Sequence, residues 1–430
     1  MFWSIYKNMK KLLIFAEYGF TVAALLIYSG AILTVLLSGG ALQQDQGEYD
    51  SSSIRIIYSL IYAVTFLLLV LRWKKTLYIL SKGFWFYPIF ILAAVSIIWS
   101  AEPSTTLKNS FTLINSSLFG LYFASRYSLK QQFHLLAWVF GIIMILSIFF
   151  AIALPQYGIQ SDVGKWRGVF THKNGLGARM VISSIVFLIL GYESKRYSWL
   201  FWGGFSLSIL LLLLAGSASS LVNLVILIFA FFAFQIWRWS YSIMIPTLII
   251  MATISQILYF WLSNGADVVF TALGKDSTLT GRTDLWPLVM DMIWKRPWLG
   301  YGYGGFWLGW NGESAYIWLN AGWLAPHPHN GYLALCLDLG FVGLGIFLLG
   351  FWHTYLQALT WVRRSTTALD IWPLIHMTYI ALASLTESAL LESNSLNWIL
   401  YVALSFSVRM THETRIINAK KKLQDRFYKV

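Results

Sequence analysis

Apolar runs long enough to cross a lipid bilayer recur along almost the whole chain. They cover residues 14–38, 54–71, 84–99, 105–124, 133–153, 174–192, 199–215, 219–237, 241–262, 329–361, 371–391 and 394–409. A membrane-spanning helix needs about 20 mostly apolar residues, because it must cross a hydrocarbon layer about 30 Å thick. A water-soluble fold could not bury so many such runs, so the sequence predicts an all-α polytopic membrane protein with about 12 transmembrane helices.

The composition agrees with lipid as the main solvent of this chain. Hydrophobic residues make up 58% of the 430 residues, and charged residues make up only 11%. Soluble domains carry roughly 25% charged residues. A net charge of +13 would indicate nucleic acid as a partner of a soluble protein. Here no basic and aromatic patch lies on a soluble module, so we expect the bilayer as a partner and no nucleic acid.

The chain reads as a single integral membrane domain over residues 1–430. The first apolar run is about 25 residues long, which is nearer a spanning helix than the 7–15 residues of a signal-peptide core. Only the segment 263–328 is large enough to form a substructure outside the bilayer. Within it, the spacing of apolar residues from Thr283 to Trp294 predicts a helix, and Pro297 follows the end of that helix.

The distribution of lysine and arginine gives the orientation. If the N-terminus is cytoplasmic, most of the basic residues fall in cytoplasmic segments, as in other membrane proteins. Both termini are then cytoplasmic, and the loop 263–328 is periplasmic. Eight basic residues oppose this bias and lie in two external stretches: Lys165, Arg167, Lys173, Arg179, Lys275, Arg282, Lys295 and Arg296. We expect them to bind an anionic ligand, although contacts with lipid phosphates or backbone carbonyls are an alternative.

Two histidines stand at the external mouth of the tenth predicted helix, in His327-Pro328-His329-Asn330-Gly331. A neutral imidazole accepts a proton from a hydroxyl near neutral pH, so His329 is the candidate catalytic base. His327 and Asn330 are candidate substrate-binding residues. A metal pair is a competing interpretation, but histidines at i and i+2 do not share a helix face, so we expect no metal.

The external cations form a candidate diphosphate site. Arg167 and Lys173 can hold phosphate, arginine through two parallel hydrogen bonds and lysine as a point charge. His172 and Asn174 adjoin them and are also candidate substrate-binding residues. Arg282 in the periplasmic loop is the candidate catalytic cation for a leaving diphosphate, with an ion pair to Asp284 or Asp276 as the structural alternative.

Two further polar segments lie at the external side. Ser217–Ser220 interrupts two apolar runs, and a tight interhelical turn is the favoured interpretation. Glu387 and Glu392 lie near the junction of the last two helices. Charge in a bilayer is costly, so these carboxylates need partners, and structural pairing with the external cations is the favoured interpretation.

These motifs resemble the O-antigen ligase and polymerase superfamily of bacterial inner-membrane glycosyltransferases, most of all its exopolysaccharide repeat-unit polymerases. The resemblance covers about residues 160–405 and rests on the order of five segments and one tryptophan: 168–174, 278–283, 296–302, 329–331, 392–395 and Trp398. His329, Asn330 and Gly340 also fit the ligase pattern. Gly343 departs from that pattern, and Ser217–Ser220 stands where ligases place an arginine, so the resemblance favours a polymerase.

The resemblance implies an enzyme that joins oligosaccharide repeat units carried on undecaprenyl diphosphate, at the periplasmic face of the inner membrane. It implies His329 as base or acceptor-orienting residue, Arg282 as the diphosphate ligand, and Arg167 and Lys173 as donor contacts. Lipid-linked oligosaccharides are then donor and acceptor, with a chain-length regulator or export complex as a further partner and no cofactor. A diphosphate leaving group needs charge stabilisation more than a general acid, and a single displacement inverts the anomeric centre. The external loops contain no D-x-D motif or tight carboxylate cluster, so metal dependence is not implied. A ligase with lipid A core as acceptor, and a flippase or transporter, are the alternatives.

Overall fold

The computed structural model describes residues 2–31, 52–264, 282–388 and 390–410. Side chains are described over the same ranges except at residues 2–6, 52, 257–264, 282 and 283. The first part of the predicted periplasmic loop, with Lys275, therefore lies outside the described residues. The same holds for the side chain of Arg282.

Helices make up most of the described chain, as the apolar runs predict. Sixteen α-helices follow in order: α1 Phe2–Tyr28, α2 Ser52–Val70, α3 Trp73–Leu80, α4 Tyr87–Val95, α5 Pro103–Arg126, α6 Leu129–Ala153, α7 Pro155–Gly158, α8 Lys173–Glu193, α9 Ser198–Ala215, α10 Ala218–Ile236, α11 Tyr241–Asn264, α12 Arg282–Lys295, α13 Ala315–Ala321, α14 Gly331–Arg363, α15 Trp372–Ala383 and α16 Leu396–Met410. Short 3-10 turns cover Phe84–Phe86, Ser96–Ile98, Gly309–Asn311 and Ala368–Ile371. The described sheet is a two-stranded antiparallel hairpin, β1 Ile159–Gln160 and β2 Lys165–Trp166.

Seven described helices are long and apolar enough to cross a membrane, and a bent pair raises the number to eight. The seven are α1, α2, α6, α8, α9, α10 and α14, and the bent pair joins α3 to the segment Phe84–Ile98 at an angle of 68°. The chain is thus a polytopic helical membrane protein. Twelve spans stay a prediction, because the helices at the remaining predicted places are bent, shorter or less apolar.

The chain forms two compact units that interleave along the sequence. The first unit contains residues 1–78, 116–225 and 394–403, and the second contains residues 79–115, 226–393 and 404–430.

The first unit is built around α8, whose side chains are mostly buried. The hydroxyls of Ser183 on α8 and Ser208 on α9 lie 2.7 Å apart, and Ser208 donates to the Met144 sulfur of α6 at 3.3 Å. Small residues let these helices approach closely, which is how helices pack in a membrane where lipid and protein are equally apolar. Gly204 illustrates this, because an added Cβ would lie 2.7 Å from the Phe187 ring.

The middle of α1 carries a buried carboxylate that is paired with two arginines in the first unit. The Glu17 carboxylate lies 2.8 Å from a guanidinium nitrogen of Arg72 and 3.0 Å from that of Arg126, and its side chain is only 9% exposed. Tyr122 also donates to Glu17, at 3.2 Å. One carboxylate therefore joins α1, α2 and α5 through hydrogen-bonded charges, which is the form in which charge is tolerated away from water.

In the second unit, the described part of the predicted periplasmic loop folds onto the beginning of α14. Its helix α12 spans Arg282–Lys295, in agreement with the predicted helix. A small hydrophobic core joins this helix to the loop and to α14 through Leu285, Val289, Met292, Ile293, Tyr301, Phe306, Ile317, Ala325, Cys336 and Leu337. The Tyr301 hydroxyl donates to the Met292 carbonyl at 2.9 Å. Burial raises the pKa of Tyr301 to about 12, so it stays a donor. The described part of the loop thus packs around the N-terminal end of α14.

Helix α14 is broken at Gly340, which has φ +66° and ψ −170°. The N–H groups released by the break donate to the segment after α12: Phe341 N to the Pro297 carbonyl at 2.7 Å and Val342 N to the Trp298 carbonyl at 3.2 Å. Backbone without helical hydrogen bonds is tolerated at membrane depth where protein groups satisfy it. Residues 341–363 alone are long enough to cross a hydrocarbon layer about 30 Å thick.

Candidate functional site

The first residues of α14 are fixed by an asparagine cap. The Asn330 side-chain oxygen accepts hydrogen bonds from the N–H groups of Tyr332 at 3.0 Å and Leu333 at 3.1 Å. This satisfies two of the four N–H groups that a helix leaves unpaired at its start. The Gly331 N–H donates to the Ser384 carbonyl at 2.7 Å, which ties the start of α14 to the end of α15. Asn330, predicted to bind substrate, thus has a structural contact in this structure.

The two predicted histidines lie together, with ring centres 4.1 Å apart. His329 has φ +51°, which is uncommon for a residue with a side chain. Its N–H donates to the Nδ1 of His327 at 3.2 Å, and the Ser388 hydroxyl lies 3.4 Å from the same nitrogen. A ring nitrogen that accepts a backbone N–H carries no proton there, so neutral His327 holds its proton on Nε2. His327 therefore supports the unusual backbone of His329.

His329 is paired with a carboxylate from the segment after α15. Its Nδ1 lies 3.7 Å from the Oε2 of Glu387, and the two side chains are 22% and 35% exposed. This nitrogen is buried and has no hydrogen-bond partner among the described residues. A distance of 3.7 Å is longer than a hydrogen bond, and catalytic pairs often shorten only when substrate is bound. The Nε2 of His329 makes no hydrogen bond within the described chain, so it can face a substrate.

Tryptophans position and cover this pair. The Trp286 indole N–H on α12 donates to the Pro328 carbonyl, between the two histidines, at 3.0 Å. The ring of Trp323 lies 6.2 Å from that of His329. Arg282 is the first residue of α12, one helical turn before Trp286. Positions 282 and 286 share a helix face, so the backbone of Arg282 is on the face that contacts the histidine segment.

The same side chains form the metal-compatible group of the described residues. The ligand atoms of His327, His329 and Glu387 lie within 4.8 Å of one another. Two histidines and a carboxylate are a known ligand set for zinc and other transition metals. The prediction of no metal here therefore stays a prediction, and chelation is its test.

In the first unit, Arg167 is engaged with the backbone of its own loop. Its Nε donates to the Tyr157 carbonyl at 2.8 Å, and its Nη2 donates to the Gln156 carbonyl at 3.0 Å. The Nη1 lies at the limit of hydrogen bonding from the Thr171 carbonyl, at 3.5 Å. Burial lowers the pKa of Arg167, and the Asp162 charge opposes that effect. Arg167 thus stabilises the segment between α6 and α8. Contact with backbone carbonyls was the structural alternative in the sequence analysis.

Lys173, His172 and Asn174 form the beginning of α8. His172 is the N-terminal cap, and its Nδ1 accepts the Asn174 N–H at 3.1 Å. The Lys173 ammonium lies 3.4 Å from the Gly216 carbonyl, at the turn between α9 and α10. The structure therefore brings Arg167, His172, Lys173 and Asn174 into one stretch of the first unit. It brings His327, His329 and Asn330 together in the second.

The turn at Gly216 matches the interpretation of Ser217–Ser220 as an interhelical turn. Gly216 has φ +59°, and the Ser217 hydroxyl donates to that of Ser220 at 3.0 Å. An added Cβ at Gly216 would lie 3.1 Å from the Lys165 side chain. A second lysine, Lys165, therefore reaches the same turn as Lys173.

Sequence reasoning did not identify Glu387 as the partner of His329. It noted an acidic residue near a helix end and favoured pairing with cations. The available signal was that a carboxylate and a histidine were both predicted at the external side. The contacts of Trp286 and Trp323 had no such signal, because this chain has 22 tryptophans.

The fold and the site define a multi-pass helical membrane protein with a histidine and carboxylate pair at the entrance of one span. Residues 203–348, about a third of the chain, match the Wzy_C family model, described as O-Antigen ligase. This confirms the resemblance that the sequence motifs indicated. The matched region contains Arg282, His327, His329 and Asn330, and it supports an enzyme of the polysaccharide ligase or polymerase type.

Two known proteins are similar in sequence to this chain. "Exopolysaccharide production protein ExoQ" of Rhizobium meliloti (strain 1021) is 23% identical over 297 residues, which are 66% of this chain and 67% of the relative. "Putative polysaccharide ligase RP358" of Rickettsia prowazekii (strain Madrid E) is 23% identical over 262 residues, which are 59% of this chain and 63% of the relative. The second match thus spans less than two thirds of that relative.

Proposed function

We propose that this protein polymerises oligosaccharide repeat units carried on undecaprenyl diphosphate, at the periplasmic face of the bacterial inner membrane. The growing chain is the donor, and a new lipid-linked unit is the acceptor. The family domain over residues 203–348 and the relative named for exopolysaccharide production support this assignment.

One observation carries the proposal: His329 and Glu387 are paired at the start of a membrane span, with Nδ1 of His329 directed at the carboxylate. A neutral imidazole that holds its proton on Nδ1 has a free electron pair on Nε2. The carboxylate favours that tautomer and stabilises the imidazolium that forms when Nε2 takes a proton. The same arrangement serves as a general base in other enzymes that activate a hydroxyl.

The transfer is a single displacement. The acceptor hydroxyl oxygen attacks the anomeric carbon of the donor sugar as the bond to the diphosphate oxygen breaks. The hydroxyl proton passes to Nε2 of His329, and undecaprenyl diphosphate leaves with the bonding electrons. The anomeric configuration inverts, because one nucleophile replaces one leaving group from the opposite side.

The leaving diphosphate needs positive charge, because negative charge grows on it in the transition state. Arg282 is proposed for this role, since its backbone lies on the face of α12 that contacts the histidine segment. Lys173 and Lys165 are proposed donor contacts, because both approach the turn at Gly216. Arg167 already binds backbone carbonyls, so its proposed part is to shape this segment as well as to contact the donor.

The test uses purified full-length protein with undecaprenyl diphosphate-linked repeat units as sole substrate. Products are resolved by chain length on a gel, with and without chelator. A ladder that survives the chelator and disappears in His329→Ala supports the proposal. A ladder that the chelator removes and zinc restores would assign His327, His329 and Glu387 to a metal instead, because all three can act as ligands.

A ligase is the second candidate, favoured by the family description and by the relative named as a putative polysaccharide ligase. It uses the same donor chemistry with a different acceptor. Product that forms only after lipid A core is added would assign the ligase. Movement of lipid-linked oligosaccharide across liposomes without any covalent product would assign a transporter and contradict both.

A further inference from the structure

The first unit contains a large apolar cavity between three helices. The cavity lies away from the segment that contains Arg167 and Lys173. Its volume is about 650 Å³, and it lies between the first half of α6, the second half of α8 and the first half of α9. The segment with Arg167 and Lys173 joins the other ends of α6 and α8. The cavity thus occupies the opposite half of the helices, and the proposed glycosyl transfer does not use it.

The lining is almost entirely hydrocarbon and aromatic, and it opens to the surroundings. Trp138, Ile145 and Trp199 line the cavity with exposed fractions of 63%, 67% and 74%. Contact between apolar surface and water is unfavourable, so in a membrane this surface faces lipid. The volume lies in the range of about 300–1,000 Å³ that is usual for small-ligand pockets.

Glycines keep the cavity open. Gly141 on α6 and Gly203 on α9 both line it, and an added Cβ at either position would meet no atom within 4 Å. Most membrane-helix glycines of this unit do the opposite, as Gly204 shows by touching Phe187. Gly141 and Gly203 therefore leave the cavity unfilled and do not mediate close helix packing.

Basic residues adjoin the end of the cavity that His134 and Tyr197 line, which we call its mouth. Lys130 lies one turn before the lining residue His134 on α6, and Lys195 and Arg196 precede the lining residue Tyr197. The Arg196 guanidinium lies 5.3 Å from the centre of the Tyr197 ring. Glu193 contributes one opposing charge, so the mouth has a net positive charge. Lysine and arginine side chains near a membrane surface attract the phosphates of anionic lipids.

We propose that this cavity binds one acyl chain of an anionic phospholipid of the bilayer, with the phosphate at Lys130, Lys195 and Arg196. A hydrocarbon chain suits the apolar lining, and the cations suit the headgroup. The site would retain a particular lipid in the leaflet opposite to the Arg167 and Lys173 segment.

The experiment measures lipid labelling of full-length protein in detergent. Phosphatidylglycerol and phosphatidylcholine carry the same photoreactive acyl chain, and labelled peptides are identified by mass spectrometry. We expect phosphatidylglycerol to label residues 129–145 and 198–207 more than phosphatidylcholine does. Gly141→Leu and Gly203→Leu should each lower that labelling about tenfold, because the new side chain occupies the hydrocarbon site.

Matched controls separate the cavity from a general effect of leucine. Gly345 on α14 and Gly19 on α1 also have no atom within 4 Å of an added Cβ, but neither lines this cavity. Gly345→Leu and Gly19→Leu should leave labelling unchanged. A double variant, Lys195→Gln with Arg196→Gln, should reduce labelling by phosphatidylglycerol to the phosphatidylcholine level.

Three results would overturn the proposal. Equal labelling by the two lipids in the unsubstituted protein would show that the site does not select an anionic headgroup. Unchanged labelling in Gly141→Leu and Gly203→Leu would show that the acyl chain does not bind in the cavity. Undecaprenyl diphosphate that displaces phosphatidylglycerol at equal concentration would make the carrier lipid the occupant. None of these measurements requires glycosyl transfer, so they are independent of the proposed function.

Discussion

The Nδ1 of His329 lies 3.7 Å from the Oε2 of Glu387, although 58 positions separate the two residues in the chain. Three local contacts bring them together. The Gly331 N–H reaches the Ser384 carbonyl, the Glu387 N–H reaches the Ala383 carbonyl, and the His329 N–H reaches His327. The pair is thus built by the start of α14 and the end of α15.

His329→Ala should abolish transfer, because it removes the proposed base. General-base catalysis contributes about 10²–10⁴-fold in rate. We expect kcat to fall by this factor in the purified polymerase assay, while the melting temperature changes little. His327→Ala is the comparison, and it should cost less in rate and more in stability, since His327 supports the backbone of His329. A larger rate loss in His327→Ala than in His329→Ala would assign the base to His327.

Glu387→Gln should lower kcat by about 10²-fold with little change in KM, because the amide no longer favours the required tautomer of His329. Glu387 is a positioning residue, so its effect should vanish when His329 is already alanine. Steady-state kinetics of the two single variants and the double variant test this. Additive losses in the double variant would show that Glu387 acts independently of His329.

Lys173→Gln and Arg167→Lys should separate donor binding from loop structure. The Lys173 ammonium lies 3.4 Å from the Gly216 carbonyl, and we propose that it contacts the donor, so its loss should raise KM for the lipid-linked donor and lower the melting temperature less than Arg167→Lys does. Lysine at position 167 cannot replace the branched donor set of arginine, which binds the Tyr157 and Gln156 carbonyls. Arg167→Lys should therefore lower the melting temperature. An unchanged melting temperature with a raised KM would make Arg167 a donor ligand alone.

Gly340→Ala should destabilise the protein by at least about 1–3 kcal/mol, which is the usual cost of a residue held in a left-handed conformation. An added Cβ would also lie 2.2 Å from the Trp298 carbonyl carbon and oxygen. Gly345→Ala in the same helix is the control, because its Cβ meets open space. Thermal unfolding in detergent, followed by intrinsic fluorescence, compares the two. Equal stability of both variants would contradict the break as described.

Glu17→Ala should cost about 1.5–3 kcal/mol, because the partly buried Arg72 and Arg126 would lose their charge-assisted hydrogen bonds to the carboxylate. Glu313→Ala is the control, since Glu313 pairs with Arg296 at 3.7 Å on a surface that is about 40% exposed on both sides. Exposed pairs contribute about 0–1 kcal/mol. The free energy of unfolding of both variants measures the difference, and similar losses would show that the Glu17 pair is solvated.

The apolar runs determined the class of fold and the positions of the helices, because a bilayer accepts only backbone whose hydrogen bonds are satisfied within the segment. The spacing of apolar residues from Thr283 to Trp294 likewise predicted the helix at Arg282–Lys295. The motifs around Arg282 and His329 carried the family resemblance. Each of these features depends on residues that are near one another in the chain.

Tertiary structure alone decided how the candidate residues are used. It paired His329 with Glu387, directed Arg167 at backbone carbonyls, and broke α14 at Gly340 against the Pro297 and Trp298 segment. These outcomes depend on which distant segments fill the same space, and sequence periodicity does not contain that information. A carboxylate or a guanidinium has many possible partners, and packing selects one of them.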